Sequence, residues 1–211
     1  MKWKRIPLGK LKTNCYLYIK ERNCLIIDPG DEGEKLIRLI KEQGLEPLAI
    51  LLTHGHFDHI GAVDDIRNNF NIPCYIHHGD SKCLTDPTVN LGNKWLREPL
   101  LLNKADYLIE KDGPITIGDF KIQVIHTPGH SRGSVCYFDT ETRILFSGDT
   151  LFCRAIGRTD LSTSNDPQIY ESIFNKLFKL PDDTLVLPGH GPETILLDEK
   201  EKNPFLNNDR R

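Results

Sequence analysis

Apolar positions recur along this chain in two rhythms, every second residue or every third to fourth, and the rhythm sets the expected elements. Residues 14–19 and 24–27 are apolar-rich runs joined by Lys20-Glu21-Arg22-Asn23, which predicts a hairpin, and Asp28-Pro29-Gly30 ends its second strand. From Glu32 to Gln43 the apolar positions Leu36, Ile37, Leu39 and Ile40 fall at helical spacing, with Gly44 where a C-terminal cap belongs. The run 48–52 is apolar throughout, as in a strand covered on both faces. It leads into Thr53-His54-Gly55-His56-Phe57-Asp58-His59. A helix over 60–69 and a strand over 74–76 are expected next.

In 77–111 the residues Pro87, Gly92 and Pro99 interrupt any period, while Trp95, Leu96, Leu100, Leu101 and Leu102 form an apolar group. This segment is expected either to pack over the core or to act as a lid or insertion facing substrate. Past Gly113, strands are expected at 115–117, 120–125, 135–139 and 144–147, separated by Gly118-Asp119, Pro128-Gly129 and Thr140-Glu141-Thr142. A helix over 166–180 opens with Pro167, a last buried strand covers 184–187, and helix is expected from Thr194 onward. Two sets of strands with helices between them predict an α/β chain in which two sheets lie sandwiched between helical layers. No linker divides them, so 1–211 reads as a single domain.

Composition narrows the function. Of 211 residues 38% are hydrophobic and 27% charged, an ordinary globular balance. The 27 Lys and Arg against 30 Asp and Glu leave a net charge of −3, which argues against a nucleic-acid or anionic-membrane partner and for a small-molecule one. No apolar run reaches membrane-spanning length, and the basic start Met1 to Pro7 is followed by no signal-peptide stretch. The cysteines Cys15, Cys24, Cys74, Cys83, Cys136 and Cys153 form no Cys-x-x-Cys pair and read as free thiols. A cytoplasmic location is expected on these grounds.

Three of the eight histidines fall within six positions, together with an aspartate: His54, His56, Asp58 and His59. His and Asp suit a divalent transition metal. Alternate residues of extended chain share a side, so His54 and His56 can meet one ion. Asp58 and His59, further round the turn, could face a second ion roughly 3.5–4 Å away, the separation usual in two-metal hydrolytic sites. A structural zinc staple would more naturally use cysteines and close all four positions. His130, Asp149 and His190 each follow an expected strand and each lie next to glycine, in Pro128-Gly129-His130, Ser147-Gly148-Asp149 and Pro188-Gly189-His190-Gly191. His126 reads as a packing or supporting residue, and His77 and His78 as loop residues.

Across nearly its whole length the chain resembles metallo-β-lactamase-fold hydrolases, in the branch of glyoxalase II (hydroxyacylglutathione hydrolase). The resemblance implies an αββα sandwich with the site at one edge between the sheets. It also implies that His54, His56 and His130 hold one metal, that Asp58, His59 and His190 hold a second, and that Asp149 bridges them. Two divalent ions are therefore expected, zinc first, with iron or manganese as alternatives. Asp58 and Asp149 are the catalytic candidates, with Asp58 able to take the second proton of the nucleophile.

Such a site needs no nucleophilic side chain, because a metal lowers the pKa of bound water to about 7. A thiolate leaving group, with a thiol pKa near 8.5, departs without a general acid. The expected activity is therefore hydrolysis of a thioester of glutathione or another small thiol. The resemblance weakens at the substrate. The extra C-terminal helical domain of glyoxalase II is not expected here, and its Gly-Lys-Phe-Tyr segment is replaced by Gly157-Arg158-Thr159-Asp160. Arg158 either grips a substrate carboxylate or pairs with a neighbouring acid. Gly157 to Asp160 also resembles a persulfide dioxygenase with a single iron on the same fold, the chief alternative. Cys153, four residues past Asp149, reads as a packing thiol or as a residue approaching the site.

Overall fold

The computed structural model describes residues 1–207. Its first sheet opens with a meander of antiparallel strands, β1 (Lys2–Leu8), β2 (Thr13–Lys20) and β3 (Asn23–Ile27). Helix α1 (Gly33–Glu42) crosses over to β4 (Glu46–Leu51), which runs parallel to β3. Helices α2 (Phe57–Ile60) and α3 (Val63–Phe70) then lead to β5 (Cys74–His77). A 3₁₀ turn (His78–Leu84) and the short α4 (Gly92–Trp95) precede β6 (Tyr107–Ile109), so the sheet order is β1-β2-β3-β4-β5-β6.

The second sheet is β14-β13-β10-β9-β8-β7. Its strands are β7 (Gly113–Ile117), β8 (Phe120–His126), β9 (Val135–Asp139), β10 (Ile144–Gly148), β13 (Leu185–Pro188) and β14 (Thr194–Ile195). Between β10 and β13 lie a two-stranded ribbon, β11 (Leu151–Phe152) with β12 (Ala155–Ile156), and helix α5 (Asp166–Asn175). Helix α6 (Leu196–Lys202) follows β14. Parallel and antiparallel pairs occur in both sheets, so both are mixed.

Three apolar layers glue the sandwich. Tyr16, Tyr18, Leu25, Leu51, Val124, Tyr137 and Phe146 fill the space between the sheets. On the outer face of the first sheet, Leu36 and Ile40 of α1 and Val63 and Ile66 of α3 cover Ile26 and Ile50. On the outer face of the second, Ile169 and Ile173 of α5 and Leu196 of α6 cover Phe138, Leu145 and Val186. The αββα architecture expected from the sequence is the one found.

Several boundaries differ from expectation. The helix expected over 60–69 splits into α2 and α3, because the Ala62 N–H donates to the Pro29 carbonyl at 2.9 Å instead of continuing the helical ladder. Gly61 permits that approach, since a Cβ there would lie 2.3 Å from the Gly30 oxygen. The helix over 166–180 stops at Asn175, Lys176 leaves helical geometry, and Leu177–Lys179 form a 3₁₀ turn. The Lys176 ammonium is drawn to the His126 carbonyl at 2.7 Å and to Asp112 at 3.0 Å. Thr194 and Ile195 pair with β13 before helix begins. His77 is no loop residue: it ends β5, buried, with its ring stacked on His126 at 4.1 Å, while His78 opens the following turn.

Candidate metal centre

Strands β3 and β4 run parallel, and β8, β10 and β13 share one direction, since β8 and β10 are both antiparallel to β9 and β10 is parallel to β13. Their carboxyl ends meet at one edge of the sandwich. Cross-sheet bonds close that edge: Val135 N–H to the Thr53 oxygen at 2.8 Å, Asn14 N–H to the Gly189 oxygen at 2.7 Å, and Tyr16 O–H to the Pro188 oxygen at 2.7 Å. His54 and His56 follow β4, Asp58 and His59 lie in α2, and His130, Asp149 and His190 follow β8, β10 and β13. All seven sequence-predicted donors reach this edge.

They form two groups. In the first, His54, His56 and His130 offer ring nitrogens within 4.8 Å of one another. The opposite nitrogen of each ring is already engaged: His54 Nδ1 faces Thr53 Oγ1 at 3.1 Å, His130 Nδ1 the Arg158 oxygen at 3.0 Å, and His56 Nε2 Thr163 Oγ1 at 3.3 Å. That leaves His56 Nδ1 and His130 Nε2 facing each other at 2.9 Å. In the second group Asp58, His59 and His190 converge within the same span. Asp58 Oδ2 lies 3.6 Å from His59 Nε2 and 3.3 Å from His190 Nε2. Asp149 sits between the groups, with Oδ1 3.4 Å from His59 Nε2 and Oδ2 3.5 Å from both His130 Nε2 and His190 Nε2. A Cβ at residue 189 would lie 2.2 Å from Asp149 Oδ1, so Gly189 is what lets Asp149 into this position.

The residues present fit divalent metal. His54 Nε2, His59 Nε2 and Asp149 Oδ1 are buried without any hydrogen-bond partner. An unpaired buried polar atom costs about 1–3 kcal/mol, and three at one point mark a place for a ligand. Imidazole nitrogens with carboxylate oxygens suit zinc, iron or manganese. Protonation states agree: burial, helped by the neighbouring His59, holds His54 well below the usual histidine range, and burial together with His130 pushes His56 down to about 3. Both are neutral, with a lone pair to give. Burial alone would raise the Asp149 carboxyl, but the adjoining imidazoles, His59 foremost, outweigh it and bring it down to about 2. Burial likewise opposes charge on His59, yet Asp149, Asp58 and Asp28 raise it well above its ordinary value. The second group is thus a place that draws positive charge.

Several supporting residues were not singled out from the sequence. Asp28, read there as a strand end, accepts from Thr53 N–H at 2.7 Å and Thr53 O–H at 2.6 Å, and faces His59 Nδ1 at 2.8 Å. It thereby fixes His59 directly and His54 through Thr53. Its carboxylate also lies within the same span of His54 and His59, but those three bonds occupy it. Thr13 O–H donates to Asp58 Oδ2 at 2.8 Å. The available signal was position, an Asp at the carboxyl end of the strand beside β4.

Five of the seven, His56, Asp58, His130, Asp149 and His190, open on a cleft of about 130 Å³, walled by Leu11, Phe57, Leu91, Trp95 and Leu161. Arg158 lines it as well, and its guanidinium is paired with the neighbouring acid, bonded through two atoms to Asp160 at 2.6 and 2.7 Å. Cys153 is half-buried and does not line the cleft, and all six cysteines are free thiols. His126 joins neither donor group, its Nε2 facing the Arg132 oxygen at 2.9 Å. Among the described residues no helix is long and apolar enough to cross a membrane.

Comparison with known proteins agrees with this geometry. Residues 8–190 match the family model described as the metallo-beta-lactamase superfamily. The chain is 50% identical, over 98% of each partner, to the "Probable metallo-hydrolase YqgX" of Bacillus subtilis (strain 168). It is 34% identical, over 96% of each, to the "Hydroxyacylglutathione hydrolase GloC" of Haemophilus influenzae. Among solved structures it resembles the BLEG-1 B3 metallo-beta-lactamase, with a TM-score of 0.95 and 45% identity, covering 98% of this chain and 100% of that one. It also resembles TTHA1623 in a di-iron-bound form (TM-score 0.84, 40% identity, 96% and 100% covered) and ETHE1 from Myxococcus xanthus (TM-score 0.81, 28% identity, 97% and 84% covered). With a family match over most of its length and a half-identical relative aligned nearly end to end, the chain belongs to the metallo-beta-lactamase superfamily and is a metal-dependent hydrolase of that family.

Proposed function

We propose that the chain is a binuclear metallo-hydrolase that cleaves thioesters of glutathione or another small thiol. The observation that carries this reading is the pair of complete three-donor groups with Asp149 between them. His54, His56 and His130 would hold one divalent ion, Asp58, His59 and His190 the other, and Asp149 both, with zinc the first choice. Bound there, the ions supply a water acidified to a pKa of about 7 and a Lewis acid for the substrate carbonyl.

The chain's own residues do the rest. Thr13 holds Asp58 by Oδ2, and Asp58, which lines the cleft, takes the second proton released by the attacking water. Phe57 and the buried Leu91 give the reacting carbonyl an apolar wall, with Leu11, Trp95 and Leu161 at its rim. Apart from the donors, Arg158 is the one ionisable side chain lining the cleft among the described residues. No general acid stands ready for a poor leaving group, which favours a thiolate, whose thiol pKa is near 8.5. A cleft of about 130 Å³ encloses a small acyl group and leaves the thiol carrier at the rim, where Arg158 meets a carboxylate by releasing Asp160. The hydroxyacylglutathione hydrolase among the relatives supports the same substrate class.

The segment Gly157-Arg158-Thr159-Asp160 favours a second reading, a persulfide dioxygenase with one iron on two histidines and an aspartate. It gives the second donor group no task. Metal analysis of the purified protein, with S-lactoylglutathione hydrolysis and oxygen uptake on glutathione persulfide, separates the two. Two ions per chain with thioester turnover is the expected result. One iron per chain with oxygen uptake overturns it.

A further inference from the structure

Asp80 lies in the 3₁₀ turn after β5, inside the segment 77–111 expected either to pack over the core or to act as a lid or insertion, and its side chain ties loops of the site together. The residue is 3% exposed, and among the described residues no Lys, Arg or His lies within ion-pair distance of its carboxylate. Instead it accepts three hydrogen bonds. Oδ2 takes the Gly55 N–H at 3.0 Å and the Ser131 O–H at 2.6 Å, and Oδ1 takes the Gly133 N–H at 2.7 Å.

The donors' places in the chain give the arrangement its meaning. Gly55 stands between His54 and His56, Ser131 follows His130, and Gly133 closes the same loop. One carboxylate therefore joins the two loops that carry every member of the first donor group. The packing leaves no slack: a Cβ on Gly133 would lie 2.5 Å from Asp80 N, and one on Gly79 would lie 3.0 Å from the Arg132 oxygen. The charge is apt as well. The first group consists of imidazoles alone and shares Asp149 with the second group, so a dication there has little negative charge of its own. Burial raises the Asp80 carboxyl above its usual range, opposed by Ser131, Gly55, Gly133 and, through space, His130. A cation at the first group would favour its ionised form.

We propose that Asp80 is a positioning residue for the first metal group. It holds the loop of His54 and His56 against the loop of His130 so that the three rings converge before an ion arrives, and it lends that ion a negative charge without ligating it. The inference rests on the metal centre and not on the identity of the substrate.

Zinc alone is the probe, with affinity measured on the full chain by chelator competition. His190→Ala weakens the second group, so its zinc binding reports the first; His56→Ala does the reverse. Asp80→Asn keeps the volume but turns one acceptor into a donor facing an N–H. Added to His190→Ala, it is expected to weaken zinc binding about 10–100-fold, the range for residues that orient metal ligands. Added to His56→Ala, it should leave binding within about twofold, as for independent sites. Equal losses in the two backgrounds, or no loss in the first, overturn the proposal. Should Asp80→Asn not fold, Ser131→Ala removes one of the three bonds and leaves the carboxylate. Weaker zinc binding in the His190→Ala background, with the melting temperature of the metal-free protein unchanged, supports the role; unchanged zinc binding, or a loss matched in His56→Ala, rejects it. Failure of thioester turnover would leave these readings intact.

Discussion

Asp28 is the residue whose importance is least apparent from its type. A buried carboxylate that engages Thr53 twice and His59 once settles which nitrogen of His59 faces the site and, through the Thr53 hydroxyl, which nitrogen of His54 does. Asp28→Asn replaces one acceptor oxygen by an amide that cannot accept, so one buried donor loses its partner. Zinc affinity in a chelator competition should fall about 10–100-fold at both groups, unlike the one-group loss expected for Asp80→Asn. At this scale the seven donors were legible because histidine and aspartate carry their chemistry in their side chains, and four of them cluster within six positions. Asp28, Asp80 and Thr13 were not, because Asp and Thr are ordinary turn and strand-end residues until a partner distant in sequence gives them work.

At the scale of the element, α1 illustrates a reading that held. Its buried face is Leu36 and Ile40, four residues apart and 0% exposed, packed against the first sheet. Gly44, at φ +60°, closes the helix end as a left-handed residue should. Truncating Ile40 to Ala should destabilise the fold by about 2–5 kcal/mol, measured by urea denaturation, with zinc stoichiometry unchanged because α1 carries no donor. Two of the missed elements have a common cause. β1 is an edge strand that alternates exposed and half-buried positions over its first four residues, and β6 has three residues of which two are exposed. Such strands bury too little apolar surface to leave a pattern. The break between α2 and α3 was hidden for a different reason. It is imposed by the 29–30 loop pressing on Gly61 and Ala62, a contact about thirty residues away in sequence.

At the scale of the molecule, the donors come from both sheets, so an ion at the edge ties the two halves together. Metal that binds the folded chain and not the unfolded one must stabilise it, by about 2.7 kcal/mol when free metal is a hundredfold above its dissociation constant. Thermal melts with increasing zinc should therefore rise with concentration, and a chelator should reverse the rise. A melting temperature indifferent to zinc, iron and manganese would contradict the metal centre. The expected sandwich of two mixed sheets between helices followed from the order of apolar runs, because each helix or sheet can bury its apolar face only against another layer.

What the chain's own order determined was the set of elements with a strong apolar period and the seven candidate donors, since the first is written in local spacing and the second in residue type and in the resemblance those residues carry. What only the tertiary structure decided was convergence. Strand direction sends the ends of β4, β8, β10 and β13 to one edge, the absence of a side chain at Gly189 admits Asp149 between the two groups, and the buried carboxylates Asp28 and Asp80 hold the rings in place. These are contacts between residues tens to more than a hundred positions apart, made by backbone amides and common polar side chains, and local sequence carries no trace of them until the layers close.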